Sequence, residues 1–158
     1  MSVAFTREED YEASAADLPD RPISPNPNLV TPEGLAQLDA ALESARAAYA
    51  AAQAEGGVSA DRTAMARATR DLRYYSARRA SAQLTEAPAT DKVTFGCTVA
   101  FEREDGRIQS FRIVGEDEAD PALGSVSYVS PLAQALLGKS VGDEARVAGQ
   151  EVEITAIG

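Results

Sequence analysis

The stretch between Thr31 and Leu84 admits few folds. Leu35, Leu38, Leu42, Ala45, Tyr49 and Ala52 recur at alternating steps of three and four, the seam of a helix that packs along a neighbour. Thr31 is placed to cap this helix, Pro32 suits its first position and Glu33 complements its dipole. Gly56-Gly57 supplies a left-handed stop and Ser59 can cap a second helix. In that helix Met65, Ala68, Leu72, Tyr75 and Ala82 repeat the seam to about Leu84, with Arg79 interrupting it as a snorkelling edge residue. Two helices of similar length joined by so short a loop can only be neighbours. The expectation is an antiparallel coiled-coil hairpin over residues 31–86, with an alanine-rich seam that lets the arms approach closely.

On either side of the hairpin the pattern changes. Residues 17–32 hold five of the eight prolines, so residues 1–30 read as an extended, proline-rich lead that lies on the protein surface. After Pro88 the period turns strand-like. VTFGCTVAFE and RIQSFRIVG flank a turn signal at residues 104–106, SVSY is a short strand, and PLAQALLG is a helix begun by Ser130-Pro131 and ended by Gly138. VGDEARVAGQEVEITAIG is a second hairpin that closes the sheet. Residues 89–158 therefore form a small β domain with one short helix, and the whole chain is α+β.

Composition excludes several chemistries. With no histidine and one cysteine, the chain cannot build a Ser-His or Cys-His nucleophile, an imidazole-bound zinc, a thiolate zinc cluster or a disulfide framework. Cys97, set among Phe95, Val99 and Phe101, reads as a small core residue. A net charge of −10 argues against duplex DNA binding through a broad basic face. The charge is uneven: residues 32–88 carry seven acids and seven bases, whereas residues 91–158 carry twelve acids and six bases. No run is long and apolar enough to cross a bilayer, and MSVAFTREED does not read as a signal peptide, so a cytoplasmic location is the default.

The C-terminal part holds, in order, Val93-Thr-Phe-Gly96, Thr98-Val99, Arg112-Ile-Val-Gly-Glu-Asp-Glu-Ala-Asp120, Ser127, Ser130-Pro-Leu-Ala133, Ala135-Leu-Leu-Gly-Lys139 and Gly142-Asp143. In this series the chain resembles the bacterial Gre family (GreA/GreB-like) of transcript elongation factors. Asn28-Leu-Val-Thr-Pro-Glu-Gly34 is similar to the family's approach to its first helix. The resemblance implies an FKBP-like C-terminal domain that docks on bacterial RNA polymerase at the secondary channel, with the coiled coil inserted toward the active site. In active members, acids at the hairpin tip help hold a Mg²⁺ ion of the polymerase, which hydrolyses backtracked RNA. No catalytic residue, metal or cofactor of the chain's own is implied, and a monomer is expected, with the nascent RNA 3′ end within its reach.

The acidic run GEDEAD at residues 115–120 suggests a metal or acid/base site at first sight. It lies where the family has a structural and docking loop, and its simplest reading is that Asp117 and Asp120 bond local backbone amides while the glutamates stay in water. Asp120, Ser130 and Pro131 are the candidate partner-binding residues, and Ser130-Pro131 also serves as an ordinary helix start. Gln134 stands where the family has arginine.

At the hairpin tip the family's acidic motif is replaced by Ala54-Glu-Gly-Gly-Val-Ser-Ala-Asp-Arg62, and each arm is shorter by about two turns, roughly 11 Å of reach. Glu55 and Asp61 are the candidate tip acids for the polymerase's Mg²⁺, although both also suit helix ends. Six arginines on the second helix, Arg62, Arg67, Arg70, Arg73, Arg78 and Arg79, read as a solvated face with a few intrahelical pairs, or as a contact for acidic channel walls or RNA phosphate. Two alternatives remain open: a short-tipped competitor in the channel without cleavage stimulation, and a stand-alone FKBP-like isomerase or Mg-dependent enzyme.

Overall fold

A computed structural model describes residues 18–55 and 62–158. These divide into two compact units. One comprises Leu38–Ser81 with the segment that ends at Asn26; the other comprises Pro27–Gln37 with Ala82–Gly158.

The helical unit follows the seam. Helix α1 runs Pro32–Ala54 and α2 runs Arg62–Ser81. Leu38, Leu42 and Ala45 on α1 and Ala68 on α2 are buried, as the steps of three and four require. Arg79 near the end of α2 pairs with Asp39 near the start of α1, so the helices run antiparallel. The alanines leave space where larger side chains would interdigitate: a groove of about 440 Å³ is lined by Ala41, Ser44, Ala45, Ala48, Ala68, Asp71 and Tyr75. Gly56, Gly57, Ser59 and Asp61 lie outside the described residues.

The lead segment lies on α2. The Arg21 guanidinium sits 3.9 Å from the Tyr74 ring centroid and 5.2 Å from that of Tyr75, and its Nη1 is 3.7 Å from Asp71 Oδ1. Asp20 pairs with Arg73 at 3.2 Å. The arginines of α2 thus depart from a plain solvated face. Arg78 is only 2% exposed, and Asp20 and Asp39, outside the helix, pair with Arg73 and Arg79.

The second unit is built on a five-stranded sheet ordered β5-β4-β3-β7-β6, with β3 Thr98–Arg103, β4 Ile108–Val114, β5 Ser125–Ser127, β6 Glu144–Val147 and β7 Gln150–Ile157. Two tight turns set the hairpins. Asp105 accepts from the Arg107 amide and Gly106 takes φ 86°; Ala148 and Gly149 both take left-handed φ, 53° and 79°, the pattern that matches strand twist in a two-residue loop. The sheet is antiparallel except for β5, which lies parallel to β4. Helix α3, Pro131–Leu136, drives Ala133 and Leu136, both fully buried, into a core of Val93, Cys97, Val99, Phe101, Ile113, Val126, Val152 and Ile154. Strand β3 begins at Thr98 rather than Val93, because Val93–Cys97 spends its backbone on turns and on Lys139, Gly138 and Ile113.

A separate two-stranded ribbon belongs to this unit. β1, Leu29–Val30, pairs in parallel with β2, Gln83–Leu84. Helix α2 therefore stops at Ser81, short of the Leu84 that its seam suggested. The amides of Gln83 and Thr85 bond to the Asn28 and Val30 carbonyls at 2.8 and 2.9 Å. The chain passes through this ribbon both on its way into the hairpin and on its way out.

Candidate partner-docking site

Loop 115–124 follows β4 and leads into β5, and its geometry separates its acids into two kinds. Glu118 faces inward. It accepts from the Thr31 amide at 3.0 Å, from the Thr31 hydroxyl and from the Gly115 amide at 3.2 Å. Thr31 is fully buried, and its hydroxyl also caps α1 by accepting from the Gly34 amide at 3.0 Å. Two glycines make room: a Cβ on Gly34 would lie 2.1 Å from Glu118 Oε2, and one on Gly115 would lie 2.3 Å from the Leu29 carbonyl oxygen. The expectation that the glutamates of this run stay in water fails at Glu118. Its carboxylate ties the loop to the start of α1.

Asp120 faces outward and behaves as its sequence suggested. It caps a short 3₁₀ turn, Pro121–Leu123, with Oδ1 accepting from the Ala122 amide at 3.2 Å. The Ser125 hydroxyl accepts from the Asp120 amide at 2.9 Å, and the Asp120 carbonyl takes the Leu123 and Ser125 amides. Gly124 closes the turn at φ 90°. Asp117, Asp120, Pro121, Ala122 and Leu123 are all exposed.

Ser130 and Pro131 lie beyond β5, at the start of α3. Ser130 Oγ accepts from the Ala133 amide at 3.2 Å, and Pro131 takes the first helical turn and is exposed. The two residues are a helix start, and they place the Pro131 ring on the surface. Gln134 turns back, donating from Nε2 to the Tyr128 carbonyl at 2.7 Å. Strand β5, Ser125–Ser127, links the Asp120 turn to the approach to Ser130.

Of the tip acids, Glu55 lies just past α1, exposed, with its amide on the Ala51 carbonyl at 3.2 Å; Asp61 lies outside the described residues. No group of three or more acids or cysteines among the described residues converges as a metal site would.

Electrostatics around the start of α1 are favourable. The Glu33 carboxyl is held below its ordinary value, first by its own backbone amide at the helix start and then by the Arg112 guanidinium 3.3 Å away. Asp105 is likewise lowered, first by the Arg107 amide. The Arg21 guanidinium is held above its usual value, first by hydrogen bonding to Tyr75.

Residue by residue, sequence reasoning missed Glu118 and Leu123. The only signals were two glycines, Gly34 and Gly115, and an apolar Pro-Ala-Leu step inside an acidic loop.

Comparison with known proteins places this domain. Residues 87–158 match the family model described as transcription elongation factor, GreA/GreB, C-terminal. Transcription elongation factor GreA of Desulfovibrio desulfuricans is 42% identical over 94 residues, 58% of each chain. Transcription elongation factor GreB of Neisseria meningitidis serogroup B is 44% identical over 73 residues, 44% of this chain and 45% of its own. The aligned stretches thus span about half the length of these relatives. Among solved structures, GreA factor homolog 1 (Gfh1) of Thermus thermophilus is 22% identical, covering 84% of this chain and 99% of its own with a TM-score of 0.41. Residues 87–158 are thus similar to the C-terminal part of the GreA/GreB transcription elongation factors.

Proposed function

We propose that the protein is an RNA polymerase-binding regulator of transcript elongation. It docks at the secondary channel through its C-terminal domain and delivers its two-helix hairpin into that channel. The observation that carries this reading is the match of residues 87–158 to the GreA/GreB C-terminal family model, joined in one chain to an antiparallel helical hairpin. The FKBP-like label belongs to the family's fold and brings no isomerase activity with it.

On this reading the chain has no reaction of its own. Its domain binds, and Asp120, Ser130 and Pro131 form part of the docking face. The hairpin occupies the pore, and the tip acids Glu55 and Asp61 are the groups it can offer to the polymerase's Mg²⁺. That ion favours one or two carboxylates beside water and phosphate oxygens, so the chemistry of the donors fits. The exposure of Glu55 leaves its carboxylate available for such a contact. A second reading, a competitor that fills the channel without stimulating cleavage, is favoured by the shape of the tip sequence. It has two acids instead of the family's acidic motif, with Arg62 beside one of them.

Binding of the full chain to bacterial core polymerase tests docking, and no binding refutes it. Cleavage in backtracked complexes then separates the two modes. Stimulation that disappears in the Glu55→Ala/Asp61→Ala double variant supports a role for the tip acids. Stimulation that persists in the double variant removes that role, and inhibition of another cleavage factor without stimulation supports the competitor.

A further inference from the structure

The 3₁₀ turn in the acidic loop carries a feature that docking through charge alone does not use. Leu123 is 84% exposed, against 52–65% for the other large exposed apolar side chains among the described residues, Ile23, Leu84, Ile108 and Val141. It does not stand alone, for Pro121 and Ala122 beside it are exposed too. A run of three exposed apolar residues in a soluble domain costs solubility and calls for a use.

The turn is also held stiffly. Asp120 caps it through Ala122, the Asp120 carbonyl takes two amides, the Gly124 amide returns to the Pro121 carbonyl at 3.2 Å, and the Gly124 carbonyl is tied to the Arg112 amide of β4 at 2.9 Å. Pro121 fixes one more torsion. An apolar side chain presented on a backbone that is already ordered loses little freedom on binding, which is the property of an anchor residue at an interface.

We infer that Leu123 is the apolar anchor of the docking face, and that it inserts into a leucine-sized apolar hollow on the partner. The exposed Asp117 and Asp120 precede it in the same loop, so the matching hollow has arginine or lysine on that side. This inference rests on the docking reading above: the partner surface is that of the polymerase, and the loop divides its work between an anchor that sets residence time and acids that set the rate of encounter.

The test is titration of the full chain against core polymerase at two salt concentrations. It compares the wild type with Leu123→Ser, Leu123→Met, Asp120→Asn and Ile108→Ser. Leu123→Ser is expected to weaken binding by about tenfold or more, chiefly through faster dissociation, because it removes the buried apolar area. Leu123→Met, which keeps the volume, stays within about threefold. Asp120→Asn slows association and flattens the salt dependence, and Ile108→Ser, an exposed apolar loss elsewhere, matches the wild type. The melting temperature of Leu123→Ser stays at the wild-type value because the side chain is already in water. If the wild type binds and Leu123→Ser binds equally well, the anchor is overturned while docking stands. If the wild type itself fails to bind, the docking reading falls and takes the anchor with it.

Discussion

The Glu118 carboxylate accepts both the amide, at 3.0 Å, and the hydroxyl of Thr31, a residue 87 positions earlier in the chain. Thr31 is fully buried, so these donors have no water to turn to if the acceptor is removed. Leaving buried donors unsatisfied costs about 1–3 kcal/mol. Glu118→Ala is therefore expected to lower unfolding stability by about 2 kcal/mol, and Glu118→Gln by less, since one amide oxygen still accepts. Chemical denaturation of the three proteins checks this, and equal midpoints would remove the tether from the account.

The two glycines around that carboxylate make a sharper test. At Gly34 an added methyl meets the far end of the Glu118 side chain, whereas at Gly115 it meets the Leu29 backbone carbonyl. A side-chain end can swing away and a ribbon carbonyl cannot. Gly115→Ala is expected to destabilise more than Gly34→Ala. In a Glu118→Ala background the Gly34 penalty should vanish or reverse, because alanine is the better helix former by about 1 kcal/mol. The Gly115 penalty should persist. A double-mutant cycle by thermal melting measures the coupling.

Much of this architecture can be read from residue order, and the parts that cannot share a physical cause. Periodicity disclosed the seam of α1 through Leu38, Leu42 and Ala45, and local chemistry disclosed the caps at Thr31, Asp120 and Ser130, since each of these partners lies within a few positions. Glu118 was hidden because its main partner is distant in sequence and a glutamate in an acidic run looks solvated. Arg78 was hidden for a similar reason: its burial is set by what covers it, and helical spacing marks only the face. The two-residue strands Leu29–Val30 and Gln83–Leu84 are too short to show a period at all, and so the end of α2 could not be foreseen.

The lead segment should be held by charge and ring together. Arg21 stacks on Tyr74 and reaches Asp71, and hydrogen bonding to Tyr75 holds its guanidinium above the usual range, so it stays charged at any working pH. Arg21→Lys keeps the charge but loses the planar stacking face. Both Arg21→Ala and Arg21→Lys are expected to loosen the lead and raise the rate of limited proteolysis between residues 18 and 26, with about 0.5–1 kcal/mol lost at this part-exposed site. A lysine variant as protected as the wild type would reduce the contact to a simple ion pair.

The start of α1 gives a pH dependence with a definite sign. The Glu33 carboxyl is depressed in the folded state, so its contribution to stability is present above the ordinary value of 4.5 and is lost as pH falls below that value through the folded one. The largest cause is the Glu33 backbone amide and the second is Arg112. Carboxyl-carbon NMR titration should therefore find a midpoint below 4.5 in the wild type, still below it in Arg112→Ala, and only weakly moved by salt. A midpoint restored to the ordinary value in Arg112→Ala would transfer the effect from the helix start to the guanidinium.

Across the sheet, Glu153 on β7 lies directly opposite Glu102 on β3 and also opposite Glu144 on β6. Like charges in register on neighbouring strands repel, and all three side chains are exposed, so the repulsion is screened by salt. Glu153→Lys turns two repulsions into two attractions without touching the core residues Val152 and Ile154 on either side, which face inward by the two-residue period of the strand. The variant is expected to be more stable than the wild type by about 0.5 kcal/mol at low ionic strength, with the advantage shrinking as salt is added. Denaturant midpoints at low and high salt decide it. An advantage that is independent of salt would point to strand packing rather than charge, and an unchanged stability would mean that the three carboxylates are held apart by more than their register suggests.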